Sequence, residues 1–353
     1  MPKDTADEAP KSQNIETDFC VIGAGAGGLA LAAAAAAFGQ RVVLIEKHKM
    51  GGDSLNYGGV QSKALLVAAK RAYAMRTASP FGVRGVEPLI DHAAVSHYIE
   101  DVAAKISPNS SIERFTGLGI RVISAAAKFV DRSTVVAGDY RISARRFVIA
   151  TGSSPIIPPI PGLADVPYFT NETIFDNKSL IPHLIIIGAG TTGLELAQAY
   201  RRLGSRVTVL DNAQALSGED PELAVALLTR LSDEGIVIRE GVQIKRVSGS
   251  TGKIVVDLQT AGTSETVEGT AVLLAAGRKA NVTDLGLDAA GVKVTQNAIK
   301  VNAGLRTTNG RVFAIGDATG AQRYAHVAGE HAAVSYTHLR AHETPEHLVC
   351  RLL

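Results

Sequence analysis

Residues 19–46 read FCVIGAGAGGLALAAAAAAFGQRVVLIE, and residues 184–211 read LIIIGAGTTGLELAQAYRRLGSRVTVLD. Both follow one grammar: an apolar run, a glycine-rich turn, an Ala- and Leu-rich helix stopped by Gly39 or Gly204, then a second apolar run ending on an acid. Glu46 follows Gly23, and Asp211 follows Gly188, by the same 23 positions. A spacing kept across so different a filling belongs to a structural unit, and strand–turn–helix–strand is the unit it describes. The expected fold class is α/β, with this unit present twice.

In each copy the glycines fall as G-x-G-x-x-G: Gly23, Gly25 and Gly28, then Gly188, Gly190 and Gly193. The first makes the tight turn, the second lets backbone approach a pyrophosphate, and the third lets the helix press on the strand. Free N–H groups and the positive end of the helix dipole then face the anion. Each copy therefore reads as a Rossmann-like dinucleotide-binding domain, with Glu46 and Asp211 placed to accept hydrogen bonds from ribose hydroxyls. Asp211 would also repel a 2′-phosphate, and the following Asn212, Ala213 and Gln214 offer no cation to hold one. The second site is expected to take NAD rather than NADP.

At 353 residues the chain exceeds one hydrophobic core, which agrees with two globular domains. Hydrophobic residues make up 46% and charged residues 20%, and the formal charge of +2 is dispersed rather than gathered in a basic stripe, which argues against a nucleic-acid partner. The two cysteines, Cys20 and Cys350, offer no disulfide framework and suit a reducing cytoplasm; no metal cluster is visible. The stretch LALAAAAAAFG is too short to span a bilayer and is read as a helix packed on a sheet, so no membrane association is expected.

The coarse organisation follows. Residues 1–14 read as a disordered tail, with acids and proline and no apolar core. Helices are expected over about Ser62 to Thr77 and His92 to Ile106, and RVISA, TVVA, YRIS and RRFVIA as a small antiparallel meander. PIIPPIPG, from Pro155 to Gly162, forces an extended connector. A helix from about Pro221 to Glu234 and a hairpin around GKIVVDLQTAGTSETVE are expected before the strand AVLLAAG. The domains are placed at 15–182 and 281–334 for the first dinucleotide fold, interrupted by 183–280 for the second.

Two further strand ends are informative. ATG, from Ala150 to Gly152, places Thr151 and Gly152 just before the connector, and AIGDA places Gly316 and Asp317 where an acid can reach a chain of hydroxyls. With these motifs the chain resembles the FAD-dependent pyridine nucleotide-disulfide oxidoreductases, on the branch of mercuric reductases and dihydrolipoamide dehydrogenase-like proteins. The likeness runs from about Asp18 to Val334 through VIGAGAGG, IEKHKMGGDSLNYGGVQSKALL, VIATGS, LLAAGRKAN and VFAIGDA, in the family order. The resemblance implies FAD held around Gly23, Gly25, Gly28, Glu46, Lys63, Thr151, Gly152, Gly316 and Asp317. It implies NAD(H) held around Gly188, Gly190, Gly193, Glu195, Asp211 and Gly277. It further implies a catalytic pair in which Lys63 steadies negative charge on reduced flavin and Glu195 orients Lys63.

One departure bears on function. The family's redox motif has the form C-L-N-x-G-C-x-P-S-K, whereas this chain has SLNYGGVQSK, with Ser54 and Gly59 at the cysteine positions and Gln61 for proline. Neither residue can form the reversible sulfur–sulfur bond of thiol exchange. The expected activity is hydride transfer from NADH to flavin, then to an unnamed small-molecule or protein acceptor, without a disulfide relay; the alternative is a catalytically silent FAD- and NAD-binding fragment. Residues 335–353, which take in LVCRLL and all of VSYTHLRAHET after its Val334, read as a non-native, adapter-like tail standing where the family continues into its dimerisation domain. His342 and Glu346 are accordingly not assigned to that domain's acid–base pair, homodimerisation as in full-length relatives is not expected, and Ser335 onward is expected to pack poorly.

Overall fold

A computed structural model describes residues 13–296, 298–320 and 323–340. The chain forms two compact units, one from residues 1–54, 107–154 and 279–353, the other from residues 55–106 and 155–278. The fold is α/β, built twice from a parallel sheet.

In the first unit the strands Arg121–Ser124, Val42–Glu46, Gln13–Ile22 and Tyr140–Ile149 lie side by side in that order, all parallel. Tyr140–Ile149 is long enough to serve two partners along one edge. Its first half pairs antiparallel with Thr134–Ala137, which continues to Ala127–Asp131, and its last three residues pair in parallel with Val312–Ala314. The runs YRIS and RRFVIA are thus one strand. RVISA, expected in the meander, instead forms the outer strand of the parallel sheet, paired with Val42–Glu46. A four-residue run shows too little alternation to tell these pairings apart. The first strand also begins at Gln13, inside the stretch read as a tail, because Gln13–Thr17 register against Tyr140–Ala144.

The sheet is buried on both faces. Phe19, Val21, Leu44, Val148 and Phe313 face a layer made by the helices Ala26–Ala37 and Ala325–Arg340, while Cys20, Ile22, Ile45, Phe147 and Ile149 face the antiparallel meander. Alternate residues of one strand thus feed two cores, which is why these strands read as continuous apolar runs. The helix Ala325–Arg340 runs past Val334: Ser335 and Tyr336 are buried, and the Tyr336 ring stacks on Phe38 at 5.2 Å between centroids. Packing therefore continues beyond the point where family likeness was read to stop, since the helix face is set by small and aromatic residues that this segment supplies. The expectations for residues 1–12 and 341–353 lie outside the described residues.

The second unit repeats the plan. Val237–Arg239, Arg206–Leu210, His183–Ile187 and Ala271–Leu274 form a parallel sheet in that order. Leu184, Ile186 and Val209 face the helices Gly59–Arg76 and Thr191–Arg202; Ile185, Ile187 and Leu210 face an antiparallel layer. That layer has three strands, Gln243–Ser250, Lys253–Thr260 and Thr263–Gly269, where the sequence reading found only the last two. Gln243–Ser250 is largely exposed and carries a single fully buried side chain, Val247, so it shows little apolar signal. The helix Pro221–Asp233 starts where Asp220 caps it, its carboxylate accepting from the Glu222 and Leu223 N–H groups at 2.9 and 3.4 Å.

His183 opens the central strand in a buried polar cluster. Arg206 Nη2 donates to its Nδ1 at 2.8 Å, so the proton sits on Nε2, 2.9 Å from Thr208 Oγ1. Burial, then the Arg206 charge, hold the imidazole below its ordinary pKa. A histidine depressed on folding contributes stability above its unfolded pKa and loses it as pH falls through the folded value. The urea midpoint is expected to fall between pH 7 and pH 5, and His183→Gln should flatten that slope; an unchanged slope in the variant would refute the assignment.

Candidate functional site

Each glycine turn is fastened by the same three contacts. In the first unit Gly23 N–H donates to the Ile45 carbonyl at 2.8 Å, Ala24 N–H to Glu46 Oε2 at 2.6 Å, and the His48 N–H to Glu46 Oε1 at 2.9 Å. In the second, Gly188 N–H donates to the Leu210 carbonyl at 2.8 Å, Ala189 N–H to Asp211 Oδ2 at 2.6 Å, and Ala213 N–H to Asp211 Oδ1 at 2.8 Å. The strand-end acids thus hold the turns, a task the sequence reading did not assign to them. Each carboxylate oxygen engaged this way keeps a second lone pair for a ligand hydroxyl.

The glycines are demanded by this geometry. Gly23 and Gly188 have φ of 106° and 114°, and a Cβ on either would strike the carbonyl of Ala150 or Ala275. A Cβ on Gly28 or Gly193 would strike the carbonyl of Gly23 or Gly188, which is how closely the helix presses on the turn. Gly25 and Gly190 differ: their backbones are extended, with φ of −78° in both, and a Cβ there meets nothing within 4 Å. The protein's own packing does not require glycine at either position, which leaves open space at each helix start. Both following helices also begin without a side-chain cap, unlike the helix capped by Asp220. An uncapped, Cβ-free helix start fits a pyrophosphate in each unit.

Around the first turn the other expected residues lie on neighbouring strand ends. Thr151 Oγ1 donates to the Asn281 carbonyl at 2.7 Å, Asn281 Nδ2 to the Thr151 carbonyl at 3.0 Å, and Asn281 N–H to the Gly152 carbonyl at 2.9 Å. Asn281 therefore fixes the ATG turn; its place at the end of LLAAGRKAN was the only sequence sign of it. Gly316 N–H donates to His331 Nδ1 at 3.1 Å, and Asp317 Oδ2 accepts from Ser153 Oγ at 2.5 Å. Ser153 escaped the sequence reading because it acts on a residue 164 positions away, and His331 because no motif marks its contact with the Gly316 backbone.

In the second unit the helices Gly59–Arg76 and Thr191–Arg202 bring Lys63 to Glu195, Nζ to Oε2 at 2.6 Å. The lysine side chain is 64% exposed and the glutamate 28%, so the pair adds little stability. Gly277 accepts from the Ile156 N–H at 3.0 Å beside a small recess lined by Thr192, Leu196, Ala275 and Arg278. Arg278 Nη1 donates to Asn171 Oδ1 at 3.2 Å, and Asn171 Nδ2 to the Tyr57 carbonyl at 3.0 Å, which ties the loop between Ser54 and Gly59 to this recess. Ser54 lies in the short helix Gly52–Asn56, and Gly59 begins the helix that carries Lys63. Cys20 is fully buried in the first sheet, and burial pushes its thiol up, away from thiolate chemistry. Among the described residues no cluster of three or more metal-ligating side chains occurs, and no helix is long and apolar enough to cross a membrane.

Comparison with known proteins bears directly on this arrangement. The profile of the pyridine nucleotide-disulphide oxidoreductase family matches residues 17–332. The chain belongs to this family. Mercuric reductase from Streptomyces lividans is 33% identical over 324 residues, which cover 90% of this chain and 68% of that protein. Mercuric reductase from Bacillus cereus is 33% identical over 319 residues, 89% of this chain and 50% of that protein. Dihydrolipoyl dehydrogenase from Geobacillus stearothermophilus is 32% identical over 336 residues, covering 93% and 71%. The chain thus spans between half and about seven tenths of these relatives' lengths. Among solved structures, the HOCl-induced flavoprotein disulfide reductase RclA from Escherichia coli matches with a TM-score of 0.81 at 25% identity, over 93% of this chain and 72% of that one.

The turn geometry yields a test that needs no ligand. Glu46→Ala or Asp211→Ala leaves a buried N–H unpaired and should destabilise its unit by about 1–3 kcal/mol, the scale of a lost charged hydrogen bond. Urea denaturation of Asp211→Ala against Asp211→Asn, which keeps an acceptor, reads this; equal midpoints for the two would contradict it.

Proposed function

We propose that this chain is an NADH-dependent flavoprotein oxidoreductase that passes electrons from FAD to an acceptor without a cysteine relay. The observation that carries the proposal is the duplicated turn: an open glycine and an uncapped helix in front, a carboxylate behind, once in each unit. Family membership supports FAD in the first unit and a nicotinamide nucleotide in the second.

When bound, the two cofactors supply the hydride chemistry. The residues of this chain position them. The N–H groups after Gly25 and Gly190 receive the pyrophosphates, and Glu46 and Asp211, already locked onto the turns, accept ribose hydroxyls. Asp317, oriented by Ser153, and Thr151, oriented by Asn281, are the polar groups offered at the other strand ends. Glu195 holds the Lys63 ammonium in place, a cation available to negative charge on the flavin. Ser54 and Gly59 bring no sulfur, so a dithiol step has no carrier at those positions.

For cofactor choice the negative charge at Asp211 disfavours a 2′-phosphate. The nearest arginine along the sheet, Arg239, is turned to Glu265, with Nη1 2.8 Å from Oε2. NAD is therefore favoured over NADP in the second unit.

Anaerobic mixing of FAD-reconstituted protein with NADH or NADPH tests the proposal. Flavin absorption should bleach with one equivalent of NADH, with no thiol released, and bleach more slowly with NADPH. Asp211→Asn should weaken NADH binding by roughly 1–3 kcal/mol. FAD uptake without any bleaching would instead support a silent nucleotide-binding protein, and faster reduction by NADPH would overturn the reading of Asp211.

A further inference from the structure

In the first unit Val312–Ala314 pairs in parallel with Phe147–Ile149, and on the side of that pairing away from the glycine turn Phe147 N–H donates to the Arg311 carbonyl at 2.9 Å. That pairing sets Arg311 beside Arg146. A bridge between Arg306 and Phe313 adds a third arginine, whose guanidinium carbon lies 5.6 Å from the Phe313 ring centroid. Arg146 and Arg306 are half-buried, and Arg311 is exposed.

The cluster lacks acid. Arg146 Nη1 donates to the Arg145 carbonyl at 3.1 Å and Arg306 rests on an aromatic face, but among the described residues no carboxylate forms an ion pair with Arg146, Arg306 or Arg311. Neighbouring Arg145 comes within 3.8 Å of Asp18, yet that carboxylate already accepts from the Arg41 backbone N–H at 3.0 Å and from its guanidinium at 3.2 and 3.4 Å. Burial, then the charges of Arg306, Arg145 and Arg311, hold the Arg146 guanidinium below its ordinary range. Like charges kept together and half out of water raise the free energy of the fold, and an anion between them lowers it. Guanidinium forks match the paired oxygens of a phosphate better than a single carboxylate can satisfy them all.

We propose that Arg146, Arg306 and Arg311 form a binding site for a phosphate-type oxyanion, either free phosphate or the phosphoryl group of a small metabolite. The site is distinct from the dinucleotide turn, since Arg146 stands four residues before Ala150, about 13 Å along the strand. Arg146 comes from a segment more than 150 positions away from the one that carries Arg306 and Arg311, and neither glycine turn contributes to the site.

The test uses the full chain with FAD bound and NAD⁺ in excess, so that both turns are filled. Sodium phosphate is titrated against sodium chloride at matched ionic strength, following melting temperature and heat of binding. Phosphate should raise the melting temperature where chloride does not, and Arg306→Gln or Arg311→Gln should each weaken phosphate binding by roughly tenfold with the flavin spectrum unchanged. Arg311→Lys, which keeps charge but loses the fork, guards against a folding defect and should bind more weakly than the wild type. Glycerol 3-phosphate is the second arm: tighter binding than phosphate assigns a phosphorylated metabolite, and equal or weaker binding assigns the free ion. A melting temperature indifferent to phosphate, a response undiminished in the double variant Arg306→Gln/Arg311→Gln, or a response to poly-glutamate alone would each overturn the site.

Discussion

The contact on which both units depend is the approach of a helix backbone to its own glycine turn. Gly28 faces the Gly23 carbonyl, and Gly193 the Gly188 carbonyl, too closely for any side chain between them. A turn that tight leaves its next N–H group pointing into the loop, and the acid at the end of the following strand takes it. The glycine at the helix and the acid at the following strand end both belong to this one closure. With any other residue at Gly28 or Gly193 the helix would lift from the strand, and the acid would lose the N–H it holds.

This also explains which parts of the molecule the sequence discloses. The turn is local, so its glycines, its helix and its acid lie within 28 residues and can be read directly. The parallel strands show as apolar runs because both faces of each sheet are buried, as the division of Cys20 and Ile22 from Phe19 and Val21 shows. Arg121–Ser124 and Gln243–Ser250 were misread or missed, since a sheet edge half in water carries little apolar signal. Side chains that orient other side chains were missed for a different reason. Asn281 to Thr151 and Ser153 to Asp317 are pairings across long separations, and His331 to Gly316 spans 15 positions, with no period or motif to mark any of them. The Lys63–Glu195 pair spans 132 positions and was reached only through resemblance to a family.

Ser54 and Gly59 stand in a frame that other residues hold. The loop from Ser54 to Gly59 is held through the Tyr57 carbonyl by Asn171, which is itself held by Arg278, and none of these contacts uses a side chain at position 54 or 59. Gly59 starts a helix whose later residues, from Ala64 to Ala72, pack in the core of the second unit. A loop anchored by backbone and by distant polar groups does not need a disulfide for its shape, so sulfur can be lost there without unfolding the helix that presents Lys63.

Fold and chemistry are thus separable within this scaffold. Stability resides in doubly buried sheets and in carboxylate-fastened turns, which are indifferent to what receives the electrons. The Lys63–Glu195 pair, by contrast, is partly exposed and contributes little to stability. Such groups can be exchanged at little structural cost, whereas Gly28, Gly193, Glu46 and Asp211 cannot. The glycine turns, held by contacts that do not involve positions 54 and 59, keep their shape with Ser54 and Gly59 in place.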